Sequence, residues 1–410
     1  MRVLEQRGPE ARSAAYTGNA AMQLDAIQLE IRKQNLDGWL FFDHHVRDPL
    51  AYRVLGFTPR ATPTRRWYYL IPAEGEPIGL EHRVEPGMIS ALPGRKIPYS
   101  SWTEQVSALR ILLAGMRRVA MQYSPQCAIP YVSMVDAGTV ELVRGAGVEV
   151  VTSAELIQTF EARWTPEALE SHLEAGRRVD RIRAEAFALI RERTRNGAPL
   201  QEVEVRRFVL AGFAKAGLVT DHGPIVGANA NASNPHYEPT EEVSSPIAAG
   251  DFVLLDMWAK LDSPGAAYYD ITWTGFCGDR PTEAMRNVFA VVTGARDAAI
   301  QRVQTAVAAG HPLRGYEVDD AARGFIESRG FGAWFTHRTG HSIGQEVHGN
   351  GANMDNFENH DERLVAPWTC FSIEPGVYLP EFGVRSEIDM FVGDGEAIVT
   401  GEIQHQLLVL

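Results

Sequence analysis

Two stretches of this sequence set acids inside runs that otherwise read as buried strand. Phe252-Val253-Leu254-Leu255 is apolar up to Asp256, and Tyr268-Tyr269-Asp270-Ile271-Thr272 is rich in strand formers. The turn Ser263-Pro264-Gly265 lies between them, with Asp256 and Asp270 each seven residues from Ser263, so a regular hairpin sets the two aspartates opposite one another. Farther on, Phe371-Ser372-Ile373-Glu374 leads into Pro375-Gly376-Val377-Tyr378, and Phe382-Gly383-Val384-Arg385-Ser386-Glu387 returns. The centre of this second hairpin falls between Pro380 and Glu381, and Glu374 and Glu387 are again equidistant from it. Like charges facing across a sheet are destabilising, and carboxylates in apolar strands are costly unless something positive offsets them. Arg385 alone is too little. Divalent metal is the economical answer, because carboxylates shared between two hard cations are stabilised rather than repelled.

Any single acid here has a plainer reading as a solvated side chain. A suitable histidine elsewhere turns the balance. Thr339-Gly340-His341-Ser342-Ile343-Gly344-Gln345-Glu346-Val347-His348-Gly349 holds two histidines seven apart, among glycines that oppose a helix. The segment is not the HExxH zinc helix; its glycines instead indicate close backbone approach to a site. Four carboxylates, one imidazole and no thiolate suit Mn²⁺, Co²⁺, Fe²⁺ or Zn²⁺ in a two-metal centre.

The rest of the chain is compatible with a soluble enzyme. A net charge of −13 over 410 residues argues against a nucleic-acid backbone as the main partner. An apolar content of 45% allows a large core. No apolar run approaches the roughly 18–20 residues of a membrane span, and the N-terminal MRVLEQRGPEAR lacks the apolar centre of a signal peptide. Cys127, Cys277 and Cys370 are far apart, so neither a disulfide framework nor a thiolate zinc site is indicated, and a cytoplasmic location is expected. The sequon Asn231-Ala232-Ser233 is then accidental.

Periodicity divides the chain into an arm, residues 1–20, a first domain, 21–160, and a second, 161–410. In the first, a helix over 22–37 capped by Gly38 precedes strands at Trp39–Phe42, Trp67–Ile71, Val119–Gln122 and Val148–Val151, with helical patterns near 103–116 and 132–145. Strands alternating with helices make this an α/β domain. In the second, Thr165-Pro166-Glu167 opens a long helix reaching about Asn196, and another helix, 200–216, ends at Gly217. Strand-like runs follow at Gly223–Gly227, Phe252–Trp258 and Ala267–Trp273. Thr282 then opens a second long helix to about Ala309, followed by a helix over 316–329 and strands at 371–378 and 384–392. Residues 165–275 and 281–392 thus share the order helix, helix, β-hairpin, an α+β duplication visible in topology though not residue by residue.

With these residues in hand, the sequence resembles the pita-bread metallopeptidases, most closely prolidase and aminopeptidase P. The likeness rests on Asn234-Pro235-His236-Tyr237, YYDITWT, GHSIGQEVH, SIEPGVY and FGVRSEID, and on the chain order of Asp256, Asp270, His341, Glu374 and Glu387. It covers about 165–410 with high specificity, and extends more loosely to 20–155 as a creatinase-type N-terminal domain. The resemblance implies a creatinase-type α/β domain followed by a pita-bread catalytic domain. It also implies two divalent metals, manganese first and cobalt, zinc or iron as alternatives. Asp256 would chelate one metal, Asp270 and Glu387 would bridge, and His341 would ligate one metal with Glu374 in support. His236 and His348 match the non-ligand histidines that contact substrate and stabilise the oxyanion, and Arg385 matches the arginine beside the last glutamate. The implied reaction is hydrolysis of an Xaa-Pro bond by a hydroxide held between the metals. Glu374 would carry the proton from water to the leaving amine.

The sequence departs from the family pattern in places. Met257-Trp258 follows Asp256 where glycine is usual at the second position, the loop joining the two aspartates is longer by about three residues, and Trp273 replaces a frequent arginine. No ligand is lost, but proline specificity is put in doubt, and Trp258, Trp273 and Trp334 become candidate pocket walls. A second reading keeps the metals and gives them to a non-peptide amidohydrolase or lyase acting on a small zwitterion. A third, a non-catalytic binding module, sits poorly with a complete ligand set. The resemblance further implies a homodimer in which N-terminal domains help close the partner's site; Asp43, His44 and His45, after the first strand, are the candidates for that role.

Overall fold

The computed structural model describes residues 23–59 and 61–410. The arm predicted at 1–20 lies outside the described residues. The chain forms two units. Of the described residues, the first takes in those from 23 to 125 together with 132–156, and the second consists of 126–131 and 157–410.

The first unit is a six-stranded mixed sheet with helices. In spatial order the strands are Arg95–Tyr99, Ile78–His82, Trp67–Pro72, Gly38–Asp43, Arg118–Met121 and Glu149–Thr152. Its centre, Trp39–Phe42 and Trp67–Ile71, is buried throughout, which is why both runs read as continuous apolar strands. The helix predicted over 22–37 covers Leu24–Lys33, and Gly38 begins a strand instead of capping it; the chain leaves the helix at Gln34 and Asn35, the latter at φ 53°. The helices Trp102–Leu112 and Ala137–Arg144 stand where helical periodicity placed them. The strands Ile78–His82 and Arg95–Tyr99 were not legible, because each is half-exposed and carries charge or proline.

Asp43, offered by sequence as a site residue, serves its own loop. Its carboxylate accepts from the backbone N–H groups of Val46, Arg47 and Asp48, at 2.9, 2.7 and 3.0 Å, and from the Tyr52 hydroxyl at 2.5 Å. This closes a turn in which His45 and Val46 both take positive φ.

The second unit is built twice on one plan. The long helix Pro166–Arg195 is capped by the Thr165 hydroxyl, which accepts from Ala168 N–H at 3.2 Å, and the helix Glu202–Lys215 follows. Ala175, Val179, Ile182 and Ala186 recur at helical spacing and pack on Leu255, Met257 and Ile271, one face of the hairpin Phe252–Leu261 and Tyr269–Phe276. In the second half, Thr282 caps Glu283–Ala308 at 3.2 Å from Met285 N–H, and Gly315–Ser328 follows. Val288, Val292, Ala295 and Ala299 pack on Phe371, Ile373, Ile388 and Met390 of the strands Thr369–Ile373 and Ile388–Val392. Each hairpin therefore spends its apolar face on a helix pair and keeps the other for its acids. Among the described residues no helix is long and apolar enough to cross a membrane.

Candidate metal centre

The two hairpin registers decide where the acids fall. In the first hairpin Asp256 pairs with Thr272 and Trp258 with Asp270. The aspartates are therefore diagonal neighbours two positions apart, not directly opposite as a regular turn about Ser263 predicted. The pairing ends at Ala259 and Tyr269, leaving a long connection whose middle is not the ladder's centre. An offset of two preserves the face, so both carboxylates still point to the same side. In the second hairpin Ile373 faces Ile388 and Gly376 faces Arg385, both counting to the centre between Pro380 and Glu381. Glu374 and Glu387 occupy the interruption between these two paired stretches, level with one another.

His341 immediately precedes a short strand, Ser342–Ile343, which pairs with Phe371 and Cys370. Its N–H donates to the Ser372 hydroxyl at 3.0 Å. A Cβ on Gly340 would collide with the Ser372 carbonyl oxygen, so glycine is what lets the histidine's backbone lie this close. The imidazole Nδ1–H donates to the Ser342 carbonyl at 3.2 Å, which leaves the Nε2 lone pair facing Asp270 Oδ2 at 3.6 Å and Glu374 Oε1 at 3.5 Å.

Ligand atoms of Asp270, His341 and Glu387 all lie within 4.8 Å of one another, and all three residues are buried. Oδ1 of Asp256 and Oδ1 of Asp270 are buried without a hydrogen-bond partner. Two orphaned carboxylate oxygens beside an unprotonated imidazole nitrogen are what a cation would satisfy. The donor set of oxygens and one nitrogen fits borderline divalent metals.

Electrostatics say the same. Burial pushes the carboxyls of Asp270 and Glu387 well above the usual range, and the neighbouring acids push them further. Asp256 is also raised by burial, with Arg385 opposing. Burial lifts Glu374 to about 7, again against Arg385. Burial holds His341 well below its ordinary value and takes His348 down to about 4, so both are neutral imidazoles.

Around these groups runs a second layer. Arg385 donates from Nη2 to Asp256, from Nε to Thr272 Oγ1 at 2.9 Å, and from Nη1 to the Tyr378 hydroxyl at 3.3 Å. Thr272 in turn donates to Glu387 Oε2 at 2.7 Å. Asp389 Oδ2 accepts the Asp270 backbone N–H at 2.8 Å. His337 shares a 2.6 Å hydrogen bond with the Tyr378 hydroxyl. Thr272, Asp389, His337 and Tyr378 were not singled out from sequence. Thr272 carried a usable signal, since it lies two positions from Asp270 in one strand and so on the same face.

A cavity of about 750 Å³ opens over the acids, and His236, His348, Arg338, Trp258 and Tyr131 are among its walls. His236 is exposed, three residues beyond the Asn229–Ser233 turn, while the His348 ring packs edge-on to His341 at 4.4 Å. Of the three tryptophans named from sequence, Trp258 alone lines this cavity, donating from Nε1 to Asp221 Oδ1 at 2.8 Å. Trp273 lies on the opposite, helix-packed face with the Arg183 guanidinium 3.5 Å over its ring. Trp334 is 40% exposed and does not line the cavity.

Comparison with known proteins gives a consistent picture. The sequence pattern of metallopeptidase family M24 matches residues 170–394. An Xaa-Pro dipeptidase of Lactobacillus delbrueckii subsp. lactis is 33% identical over 203 residues, 49% of this chain and 50% of that protein. A probable dipeptidase PepE of Mycobacterium tuberculosis is 23% identical over 345 residues, 83% of this chain and 84% of its own. The chain spans about half the length of the curated relatives it matches at 30% identity or more. Among solved structures, dipeptidase PepE from Mycobacterium ulcerans superposes with a TM-score of 0.65 at 22% identity, over 94% of this chain and 96% of that one. The prolidase from Thermococcus sibiricus gives 0.59 at 22% identity, over 95% and 98%. These likenesses extend over both units, and the fold is the pita-bread arrangement preceded by the creatinase-type α/β domain.

Proposed function

The chain belongs to metallopeptidase family M24, and from that premise we propose that it is a metal-dependent exopeptidase that hydrolyses Xaa-Pro bonds. The observation that carries the proposal is the convergence of Asp270, His341 and Glu387 beside two unpartnered carboxylate oxygens. Relatives described as Xaa-Pro dipeptidases support the choice of bond.

In this reading Asp256, Asp270, His341, Glu374 and Glu387 hold two divalent ions, manganese first among them. When bound, such ions supply Lewis acidity and a nucleophile at neutral pH. The protein's own residues do the rest. Glu374, the least buried of the four acids, has a carboxyl poised near neutrality to take a proton and return it to the leaving amine. His348, held neutral against His341, and His236 at the cavity wall donate to the oxygen that gains charge in the tetrahedral intermediate. Arg385 fixes Asp256 and, through Thr272, Glu387. Trp273, which kept a non-peptide substrate in view, packs away from the cavity and so leaves its walls unchanged. A cytoplasmic location and a homodimer belong to the same proposal and rest on the resemblance alone.

The test is hydrolysis of matched peptides by Mn²⁺-loaded protein, with products identified by mass. Cleavage before proline, absent from alanine-substituted peptides and lost in Asp270→Asn, is the expected result. Two bound metals without cleavage of any peptide would overturn the peptidase reading and point to a non-peptide amide or lyase substrate.

A further inference from the structure

We propose that the first unit carries a binding site of its own, for a small organic phosphate with a planar ring, in the cavity at the carboxyl edge of its sheet. The proposal does not depend on the peptidase reading.

This cavity, of about 600 Å³, lies within the first unit and shares no lining residue with the one over the acids. Its place follows from the topology. Gly38–Asp43, Ile78–His82 and Arg95–Tyr99 run in one direction, and His44, His82 and Ser100, at or just past their ends, line it. Arg65 and Arg66 enter at the start of the antiparallel strand Trp67–Pro72. Gly38–Asp43 also pairs in parallel with Arg118–Met121, which the chain reaches only after completing the other side of the sheet. Asp136 and Thr139, which follow that strand, line the cavity too. The crevice outside the carboxyl ends of strands, where the strand order reverses, is where open α/β sheets bind ligands.

Arg47, Arg65 and Arg66 line the cavity, and Asp136 is its one carboxylate. The acids nearby are already spent. Asp136 accepts from Thr139 N–H at 2.9 Å and from Thr139 Oγ1 at 2.8 Å. Glu85 accepts from the backbone N–H groups of Thr64 and Arg65 at 2.9 and 3.1 Å, and from the Thr64 hydroxyl. Arg65 folds back on Thr64, donating from Nη1 to its carbonyl at 3.3 Å and its hydroxyl at 3.1 Å. Arg47 and Arg66 differ: among the described residues neither side chain makes a hydrogen bond or has a carboxylate within ion-pair distance. Burial, and then the charges of His45, Arg47 and Arg66, hold the His44 imidazole below its ordinary range, so it adds little charge of its own. A single exposed arginine is solvated at little cost. In a chain with 52 acids against 39 basic residues, however, arginines such as Arg83, Arg183, Arg302 and Arg363 find carboxylates. Two that do not, brought from separate segments to one concavity, mark a place for an outside anion.

The donors choose the anion. Each guanidinium has five N–H donors in a rigid fork. A carboxylate brings two oxygens and one charge, enough for one fork. A phosphate monoester brings three acceptor oxygens and about −1.5 to −2 charge at neutral pH, enough for both. Trp102, the first residue of Trp102–Leu112, lines the same cavity and is 73% exposed. An indole left open beside cations is a platform on which a planar ring can stack. The cavity volume is of small-ligand size. A nucleoside monophosphate combines the two parts in one molecule and serves as the probe.

The experiment is calorimetric titration of AMP, adenosine, inorganic phosphate and benzoate into metal-loaded full-length protein. Wild type is compared with the double variant Arg47→Gln, Arg66→Gln and with Trp102→Ala. Phosphate binding common to wild type and the double variant belongs to the metal centre, and the difference between them belongs to this cavity. Loss of two charge-assisted contacts predicts that the double variant binds AMP roughly 10- to 100-fold more weakly than wild type. Adenosine and benzoate should bind wild type at least about 10-fold more weakly than AMP. Trp102→Ala should weaken AMP by about 5-fold or more and leave inorganic phosphate unchanged. No binding of AMP, or AMP binding that survives in the double variant, overturns the proposal. AMP matched by adenosine or by benzoate overturns the choice of phosphate, and AMP unaffected by Trp102→Ala overturns the choice of a planar ring.

Discussion

Arg385 and Asp256 are hydrogen-bonded across the two halves of the duplicated unit, joining strands whose residues lie 129 apart in the chain. The arginine's Nε reaches Thr272, and Thr272 reaches Glu387, so one guanidinium orders an acid from each hairpin. Replacing Arg385 with methionine removes that link but leaves every proposed ligand. Loss of such an outer partner typically lowers metal affinity or activity by about 10- to 100-fold. Titration of manganese into Arg385→Met, followed by kcat/KM at saturating metal, separates weakened binding from misplaced acids. An unchanged metal affinity would show that Asp256 and Glu387 hold their positions without it.

Asp270 is expected to be less forgiving. It belongs to the convergent trio, one of its oxygens has no partner, and its backbone N–H is fixed by Asp389. Asp270→Asn keeps the shape and removes the charge. Activity should fall by more than the roughly 100-fold upper range for an outer-shell loss, with one metal equivalent missing by elemental analysis. Asp389→Asn, which can still accept the Asp270 N–H, should cost less.

The buried acids also make stability depend on pH. Glu374 has its carboxyl raised from 4.5 to about 7, so between those values the folded chain holds a proton that the unfolded chain releases. Its contribution is complete below pH 4.5 and is lost as pH rises through about 7. The buried histidines run the other way. His172 and His348 are depressed to about 4, so their contribution grows as pH rises through that value toward the ordinary histidine range. Urea unfolding of metal-free wild type and Glu374→Gln across this range isolates the glutamate. The wild type should lose on the order of 3 kcal/mol relative to the variant. Saturating manganese should reverse the difference, because bound metal replaces the proton. Parallel pH curves for the two proteins would contradict this.

Much of this site was readable because its constraints are local. Carboxylates at the ends of apolar strands, and a histidine among glycines, stand out against the residues around them. The Glu374 hairpin has a short, symmetric turn, and the count that set Glu374 and Glu387 equidistant from its centre agrees with the observed pairing of Ile373 with Ile388. The Asp256 hairpin was misjudged by two positions, because its connection is long and no ladder bond pins the middle. Parity survived the error, and parity is what puts both aspartates on one face. Arg338 and Tyr131 could not be paired from sequence, since a contact across 207 residues leaves no periodic trace. The half-exposed strands Ile78–His82 and Arg95–Tyr99 escaped for a related reason: they lack the unbroken apolar run that marked their neighbours.

The two tryptophans of the first hairpin give the last prediction, because they sit on opposite faces of the sheet. Trp273 is packed in the helix-facing core under Arg183, whereas Trp258 faces the cavity and is held by Asp221. Trp273→Ala should therefore act on stability, by about 3–5 kcal/mol as for other large-to-small core changes. Its KM should stay close to wild type at temperatures where the variant is folded. Trp258→Ala removes a wall from the cavity and less of the core, so it should shift KM and substrate preference at little cost in stability. Urea midpoints and kinetics on both variants check the pair together. If Trp258→Ala proved the more destabilising, or Trp273→Ala the more disruptive to substrate preference, the assignment of faces to function would be wrong.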